Sequence, residues 1–321
     1  MAIPTKRDRP DADADDGASS ENDQRPPLKR SASVYSNING VPRTTTGRLP
    51  HLGLTDGELA NRVVIVGHIA RAELLASFLQ PEEVGGKIFY LSSDRGYTTY
   101  TGLFNGVKMS VVAIGMGCVM VDFFIREARQ IVQGPLLVVR FGTCGVLQEQ
   151  VQVGTVNVAS EGAVMVQRNY DAFPLAEQHK TGFDGYTISR AVLPDSNLTQ
   201  NIVAQMREDL GEGNVVCGGN ATADSFYGSQ GRIDENFPDG NEGVIEEVLR
   251  RYPKTLSMEM ETFMLFHLAQ CARPFASVRV SGAAVNVANR ITSDVVDGER
   301  LKTMEREGGK AIMKALVNTS L

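Results

Sequence analysis

The chain has 321 residues, a formal net charge of −6 and 42% apolar side chains, which suffices for a real core in one large domain or two small ones. The acidic balance argues against nucleic acid as a partner, since that function leaves a basic footprint; a bound anion would need a local arginine cluster. The polar, charged N-terminus reads as no signal peptide, and no apolar run is long enough to span a bilayer, so the expectation is a cytoplasmic protein without a membrane partner.

Residues 1–47 are rich in Asp, Arg, Lys, Ser and Pro. So polar a segment cannot offset its ordering entropy, so it is expected to be a disordered tail ahead of a single catalytic domain at 48–321. "LKRSASV" within it fits a basophilic kinase pattern at Ser33, but short basic motifs match often by chance and a solvated tail is the preferred reading. "RVVIVG" then reads as a buried strand ending at Gly67, and "RAELLASFL" as a helix. "KIFYLSS" and "YTTYTGLF" read as strands, and Asn105-Gly106 inside "FNGVKMSVVAIG" predicts a hairpin. A helix is expected over 119–132, then the strands "PLLVVRFG" and "GTVNVAS", and a helix over 196–210. "NVVCGGNATA" reads as one strand. "METFMLFHLAQCA" reads as a helix apolar nearly all round and therefore buried. "FASVRVSGAAVNVAN" predicts a long strand, and an amphipathic helix over 301–317 closes the chain. Strands alternating with helices, plus one hairpin, imply a three-layer α/β/α sandwich around a central mixed β-sheet.

Several chemistries are excluded. The four histidines, His51, His68, His179 and His267, have no metal-ligand spacing, so no metal is expected. There is no phosphate-binding lysine loop, no dinucleotide glycine motif and no hydrolase serine elbow, so no cofactor is expected either. Cys118, Cys144, Cys217 and Cys271 form no CxxC pair and read as free, buried thiols.

What remains is a set of arginines, carboxylates and amides. Arg71 follows Gly67, Arg95 lies in "SSDRGYTTY", and Arg140 lies inside the apolar strand that runs into Gly142 and Thr143. A charge in such a strand is costly unless paired. Arg140 therefore marks either a buried ion pair or an oxyanion site built with the amides of a glycine turn and the Thr143 hydroxyl. "SMEMETF" places Glu259 and Glu261 around Met260; Glu261 could cap a helix or accept from a sugar diol, with Met260 against the ring. "DSFYGSQGRID" sets Gln230 and Arg232 beside Phe226 and Tyr227, donors and rings that suit a flat polar heterocycle.

Taken together, "HLGLT", "VIVGHIAR", "DRGYTTY", "VVRFGTCG", "FYGSQGRID", "SMEMET" and Asn289-Arg290 resemble the nucleoside phosphorylase-I family, in its uridine-cleaving branch, over about residues 51–317. The resemblance implies a pentosyltransferase that splits uridine with inorganic phosphate as co-substrate, releasing uracil and ribose 1-phosphate. Gly67, Arg71, Arg140 and Thr143 would bind phosphate, with Arg95 supplied by a neighbouring subunit. Phe226, Gln230, Arg232 and Arg290 would hold uracil. Met260, Glu261 and Glu259 would face the ribose, and His51 of a neighbour its 5′-hydroxyl. Arg140, Arg232, Gln230 and Glu261 would carry catalysis. Two lent residues imply a homodimer, or a hexamer made of such dimers. Gly96 follows Arg95 where some bacterial relatives carry a cation-binding Glu, which argues against a potassium site. A purine phosphorylase, a nucleosidase using water and a non-catalytic nucleoside-binding relative are the alternatives. The stretch "VNVANRIT", without the Ser-Asp pair of purine enzymes, counts against the first.

Overall fold

The computed structural model describes residues 35–172 and 185–321. Ser33 and most of the expected tail lie outside them. Residues 35–47, expected in the tail, contain a small ribbon of β1 (Tyr35–Ser36) and β2 (Arg43–Thr44). The Arg43 guanidinium anchors it, donating to the carbonyls of Gly47 (2.9 Å) and Gln130 (3.2 Å).

The elements then run β3 (Arg62–Val66), α1 (Ile69–Ala76), β4 (Phe89–Ser92), β5 (Thr98–Phe104), β6 (Val107–Ala113), α2 (Cys118–Ile131), β7 (Leu136–Val146), β8 (Val156–Val158), β9 (Ala163–Arg168) and β10 (Tyr186–Ile188). They continue with α3 (Ser196–Leu210), β11 (Val215–Cys217), β12 (Gly219–Ala223), α4 (Val244–Arg251), β13 (Thr255–Glu259), α5 (Thr262–Cys271), β14 (Val278–Asn289) and α6 (Gly298–Asn318). Strands β3 to β14 form one mixed sheet, ordered β10-β9-β12-β13-β7-β3-β6-β5-β4, with β14, β8 and β11 branching from β7.

Alternation sets the layers. Val64 and Val66 of β3, with Leu137 and Val139 of β7, face a core closed by α1, α3 and α6. Val63, Ile65, Leu136 and Val138 face the opposite core, under α2 and α5. Each such fully buried side chain contributes roughly 1.5–3 kcal/mol. A third, smaller cluster lies under α4. The hairpin forms as expected, with Asn105 (φ 49°) and Gly106 (φ 76°) both left-handed between Phe104 and Val107.

Three expectations are revised. "NVVCGGNATA" is two strands: β11 joins β8 while β12 joins β9 and β13. The break falls at Gly218, where a Cβ would collide with the Leu256 side chain. Helix α5 buries Leu265, Phe266, Leu268 and Ala269 but exposes His267, Gln270 and Cys271. All four cysteines are free, but only Cys144 is buried; Cys118 is half-buried, and Cys217 and Cys271, at the ends of β11 and α5, are exposed. Among the described residues no helix is long and apolar enough to cross a membrane.

Candidate active site

The site lies where the sheet forks. β3 leaves β7 at Arg140 and β13 joins at Gly145, so residues 141–144 have a strand partner on one side only, β14. The glycine turn expected here is an extended strand instead, with Gly142 opposite Ala284 and Thr143 opposite Val285. The reason is β14, which runs parallel to β7 along its full length and keeps it extended past the glycines. Thr143 is half-buried, and its hydroxyl has no hydrogen bond among the described residues.

Arg140 is 6% exposed. Its Nε lies 3.0 Å from Glu259 Oε2, and its Nη2 pairs with Glu261 Oε2. The ion-pair reading is therefore met, but Nη1 remains buried without a partner among the described residues. Gly142 makes room for this: a Cβ there would run into the guanidinium.

The two glutamates divide their work. Glu259 ends β13 and accepts from Asn220 Nδ2 (2.7 Å), Thr222 Oγ1 (2.6 Å) and the amides of Glu261 (3.0 Å) and Thr262 (3.1 Å). Burial works to raise its pKa, but Arg140 and these donors hold it below the usual carboxylate value. Glu259 thereby covers the start of α5, the role sequence offered to Glu261. Glu261 occupies the capping position without capping the helix. Its carboxylate takes the Gly117 amide at 2.5 Å and Arg140. Burial, with the charge of Glu259 added, raises its pKa despite Arg140. Half-buried Met260 accepts at its carbonyl from Cys118 Sγ (3.3 Å). Burial pushes the thiols of Cys118 and Cys144 up to about 12, so neither is a nucleophile near neutral pH.

Gly67 stands at the end of β3, its Cβ position 3.4 Å from the Gly115 carbonyl. Arg71 reaches the same fork from α1, donating to the Phe141 carbonyl (3.2 Å) while Nη2 pairs with Glu305 of α6 (2.6 Å). That carboxylate had no signal in the sequence beyond its place on an amphipathic helix.

A short 3-10 turn, Gly228–Gln230, carries Gln230. This side chain is 4% exposed, and its amide has no partner among the described residues. Arg232 Nε donates to the Phe226 carbonyl (3.0 Å), and its guanidinium carbon lies 4.1 Å from the centroid of the half-exposed Phe226 ring. Arg290 donates to the Gly231 carbonyl (3.4 Å) and packs its stem on Gly145. Among the described residues neither arginine has a carboxylate partner. Burial lowers the pKa of both, and the charge of Arg232 lowers that of Arg290 further.

Two asparagines shape these loops: Asn241, which sequence reasoning missed, and Asn289, which it named without a role. Buried Asn241 donates to the carbonyls of Gly228 (3.0 Å) and Arg232 (2.7 Å), on either side of Gln230. Asn289 donates to the carbonyls of Gln148 (3.1 Å) and Val151 (3.0 Å) and accepts from the amides of Ile291 (2.9 Å) and Thr292 (3.2 Å), fixing the turn that presents Arg290.

His51 and Arg95 are not brought to this cluster. Gly53 packs against Leu91 and Ser93 (3.2 and 3.3 Å from its Cβ position), which sets the His51 loop beside the Arg95 turn. Arg95 is exposed, and its guanidinium has no hydrogen bond or ion pair among the described residues. No group of three or more His, Cys, Asp or Glu that could hold a metal occurs among the described residues.

Residues 61–318 match the family model of the phosphorylase superfamily. A solved structure from work on two diverse uridine phosphorylases of the oomycete Phytophthora capsici is similar, with 40% identity and a TM-score of 0.83, covering 89% of this chain and 100% of that one. A DeoD-type purine nucleoside phosphorylase of Oceanobacillus iheyensis is 26% identical over 261 residues, 80% of this chain and 92% of that protein. A uridine phosphorylase of Thermococcus kodakarensis is 26% identical over 255 residues, 79% and 82% of the two chains.

Proposed function

The chain belongs to the phosphorylase superfamily, and from that premise we propose that it is a uridine phosphorylase. Membership makes it a pentosyltransferase acting on a nucleoside and phosphate. In the reading proposed here the nucleoside is uridine, the products are uracil and ribose 1-phosphate, and the reaction is reversible.

The observation that carries the reading is the amide of the buried residue Gln230, without a partner among the described residues, beside two arginines without carboxylate partners among them. Uracil offers O2, N3–H and O4 on one edge. A primary amide accepts from N3–H and donates to a carbonyl oxygen at once. As the glycosidic bond breaks, negative charge grows on the departing ring. Arg232 and Arg290 meet that charge, so their interaction is stronger in the transition state than with bound substrate. Phe226 borders the ring.

Phosphate is the nucleophile. In this account Gly67, Arg71, Thr143 and the spare Nη1 of Arg140 hold it at the fork, with Arg95 from a second subunit. It attacks C1′ from the face opposite the base, through an oxocarbenium-like sugar. Glu261, beside Met260, accepts from the ribose hydroxyls and favours the cation. Glu259, its acceptors already occupied by internal donors, supports the site from beneath. His51 and Arg95, on neighbouring loops, make no contact with the cluster among the described residues, which supports a homodimer in which each subunit completes the other's site. A hexamer of such dimers would satisfy the same geometry.

The stretch "VNVANRIT", without the purine enzymes' Ser-Asp pair, supports uridine over purine nucleosides. Initial rates on uridine, thymidine and inosine at saturating phosphate test the proposal. Uridine is expected to be cleaved far faster than inosine; faster cleavage of inosine would make the chain a purine phosphorylase.

A further inference from the structure

We infer that Glu127 is the positioning residue for His51, holding its imidazole so that Nε2 is free to accept a hydrogen bond from the nucleoside's 5′-hydroxyl. This deepens the uridine phosphorylase reading and rests on it.

The Glu127 side chain is 4% exposed and has no Lys or Arg partner among the described residues. A buried carboxylate needs donors, and one loop supplies them. The His51 amide approaches its oxygens at 3.2 Å, the Leu52 amide at 2.8 Å and His51 Nδ1 at 2.5 Å. An ionised carboxylate only accepts, so Nδ1 must carry a proton. In the neutral imidazole Nε2 is then a lone pair. The ring cannot easily turn away, because it stacks on Phe123 with centroids 3.9 Å apart and planes 19° apart. Phe123 and Glu127 are four residues apart on α2, so one helix face provides both the stacking ring and the carboxylate. His51 Nε2 has no partner among the described residues, and the ring is part-exposed.

The same helix begins at this subunit's own site, where the Gly117 amide meets Glu261. At a rise of about 1.5 Å per residue, Glu127 lies roughly 15 Å along the axis from that point. The His51 ring, stacked on Phe123 about 9 Å along the axis and bonded to Glu127 beyond it, makes no contact with its own Glu261, which fits a sugar in the neighbouring subunit.

Two measurements decide. Glu127→Gln offers an amide N–H to Nδ1 and lets the proton move to Nε2, removing the acceptor. On uridine, kcat/KM is expected to fall about tenfold, the worth of one hydrogen bond, chiefly through KM. On 5′-deoxyuridine, which lacks the hydroxyl, the variant and wild type are expected to agree within about twofold. Equal losses on both substrates would mean that Glu127 only supports the fold, and would overturn the inference. The second is read on the wild type. Nitrogen-15 shifts of His51 in the wild type, assigned with His51→Ala, are read about two pH units above the ordinary histidine pKa. They are expected to show the Nδ1–H tautomer; the Nε2–H tautomer overturns the inference. If the wild type cleaves no uridine, the functional reading fails, while the tautomer still decides whether Glu127 orients His51.

Discussion

Arg140 of β7 and Glu261, the residue that opens α5, are bonded across the fork of the sheet, each buried, with one guanidinium nitrogen left over. The pair links the phosphate side of the site to its ribose side. Arg140→Lys keeps the charge, but a single nitrogen replaces the planar fork whose Nε, Nη2 and Nη1 face Glu259, Glu261 and the open position separately. The expected result is a loss of about 100-fold or more in kcat/KM, with a rise in KM for phosphate. Steady-state kinetics at varied phosphate checks this; an unchanged KM for phosphate contradicts the assignment.

The geometry at Gly142 gives a gentler test of the same point. Gly142→Ala puts a methyl against the Arg140 guanidinium and must displace it. Activity is expected to fall by about tenfold or more while the melting temperature drops only a few degrees, as for a local displacement of about 1 kcal/mol. Retained activity would show that Arg140 does not need its present position.

Glu259 and Glu261 are expected to act on stability with opposite pH trends. The folded pKa of Glu261 is raised, so its contribution to stability falls as pH climbs from the ordinary carboxylate value towards the folded one. The folded pKa of Glu259 is depressed, so its contribution is full above the unfolded value and is lost as pH falls through the folded value. Glu261→Gln should therefore gain on wild type as pH rises from about 4 to 7, and Glu259→Gln should lose. Urea unfolding across that range reads both trends; trends of the same sign contradict the division of roles.

The unpaired arginines beside Gln230 predict a taste for anionic rings. A uracil made acidic by an electron-withdrawing group, such as 5-nitrouracil, is expected to inhibit more strongly as pH rises through its own pKa. Arg290→Ala should reduce that rise and the double variant with Arg232→Ala should abolish it, and Gln230→Leu should lower kcat/KM on uridine by about 100-fold. Inhibition constants across pH give the answer, and a pH-independent constant counts against the assignment.

If His51 and Arg95 serve a neighbour's site, two dead variants can rescue each other. Arg95→Ala and Gln230→Ala, unfolded together and refolded as a mixture, form hybrid dimers with one intact site. For a two-fold dimer the recovered activity is expected to be about a quarter of wild type. No recovery, with hybrids verified by mass, would place both residues in their own subunit's site.

Much of the site was legible because its residues break local rules. Arg140 is a charge in an apolar strand, and Gln230 and Arg232 crowd donors onto a glycine-rich loop. Such violations need a partner, and the structure supplies carboxylates to the first and leaves the amide of the second open. Less was legible where residues obey local rules. "VIEEVLRR" forms α4, whose acids in the first turn and bases in the last are signals too short to stand out in the sequence. "TLSME" became β13 only because β7 and β12 flank it. Glu127, Asn241 and Glu305 look like ordinary polar positions, and their importance comes from which distant loop they meet. The extension of β7 through its glycines was invisible for the same reason, since it depends on β14 more than 130 residues later in the chain.

The central claim is that phosphate, held at the Arg140 fork, displaces uracil from uridine. The most direct measurement follows uridine by absorbance with and without inorganic phosphate, and identifies the sugar product by phosphorus-31 NMR. The account predicts uracil release only with phosphate, matched one for one by ribose 1-phosphate. Equal release without phosphate, with free ribose as product, would make water the nucleophile and contradict it.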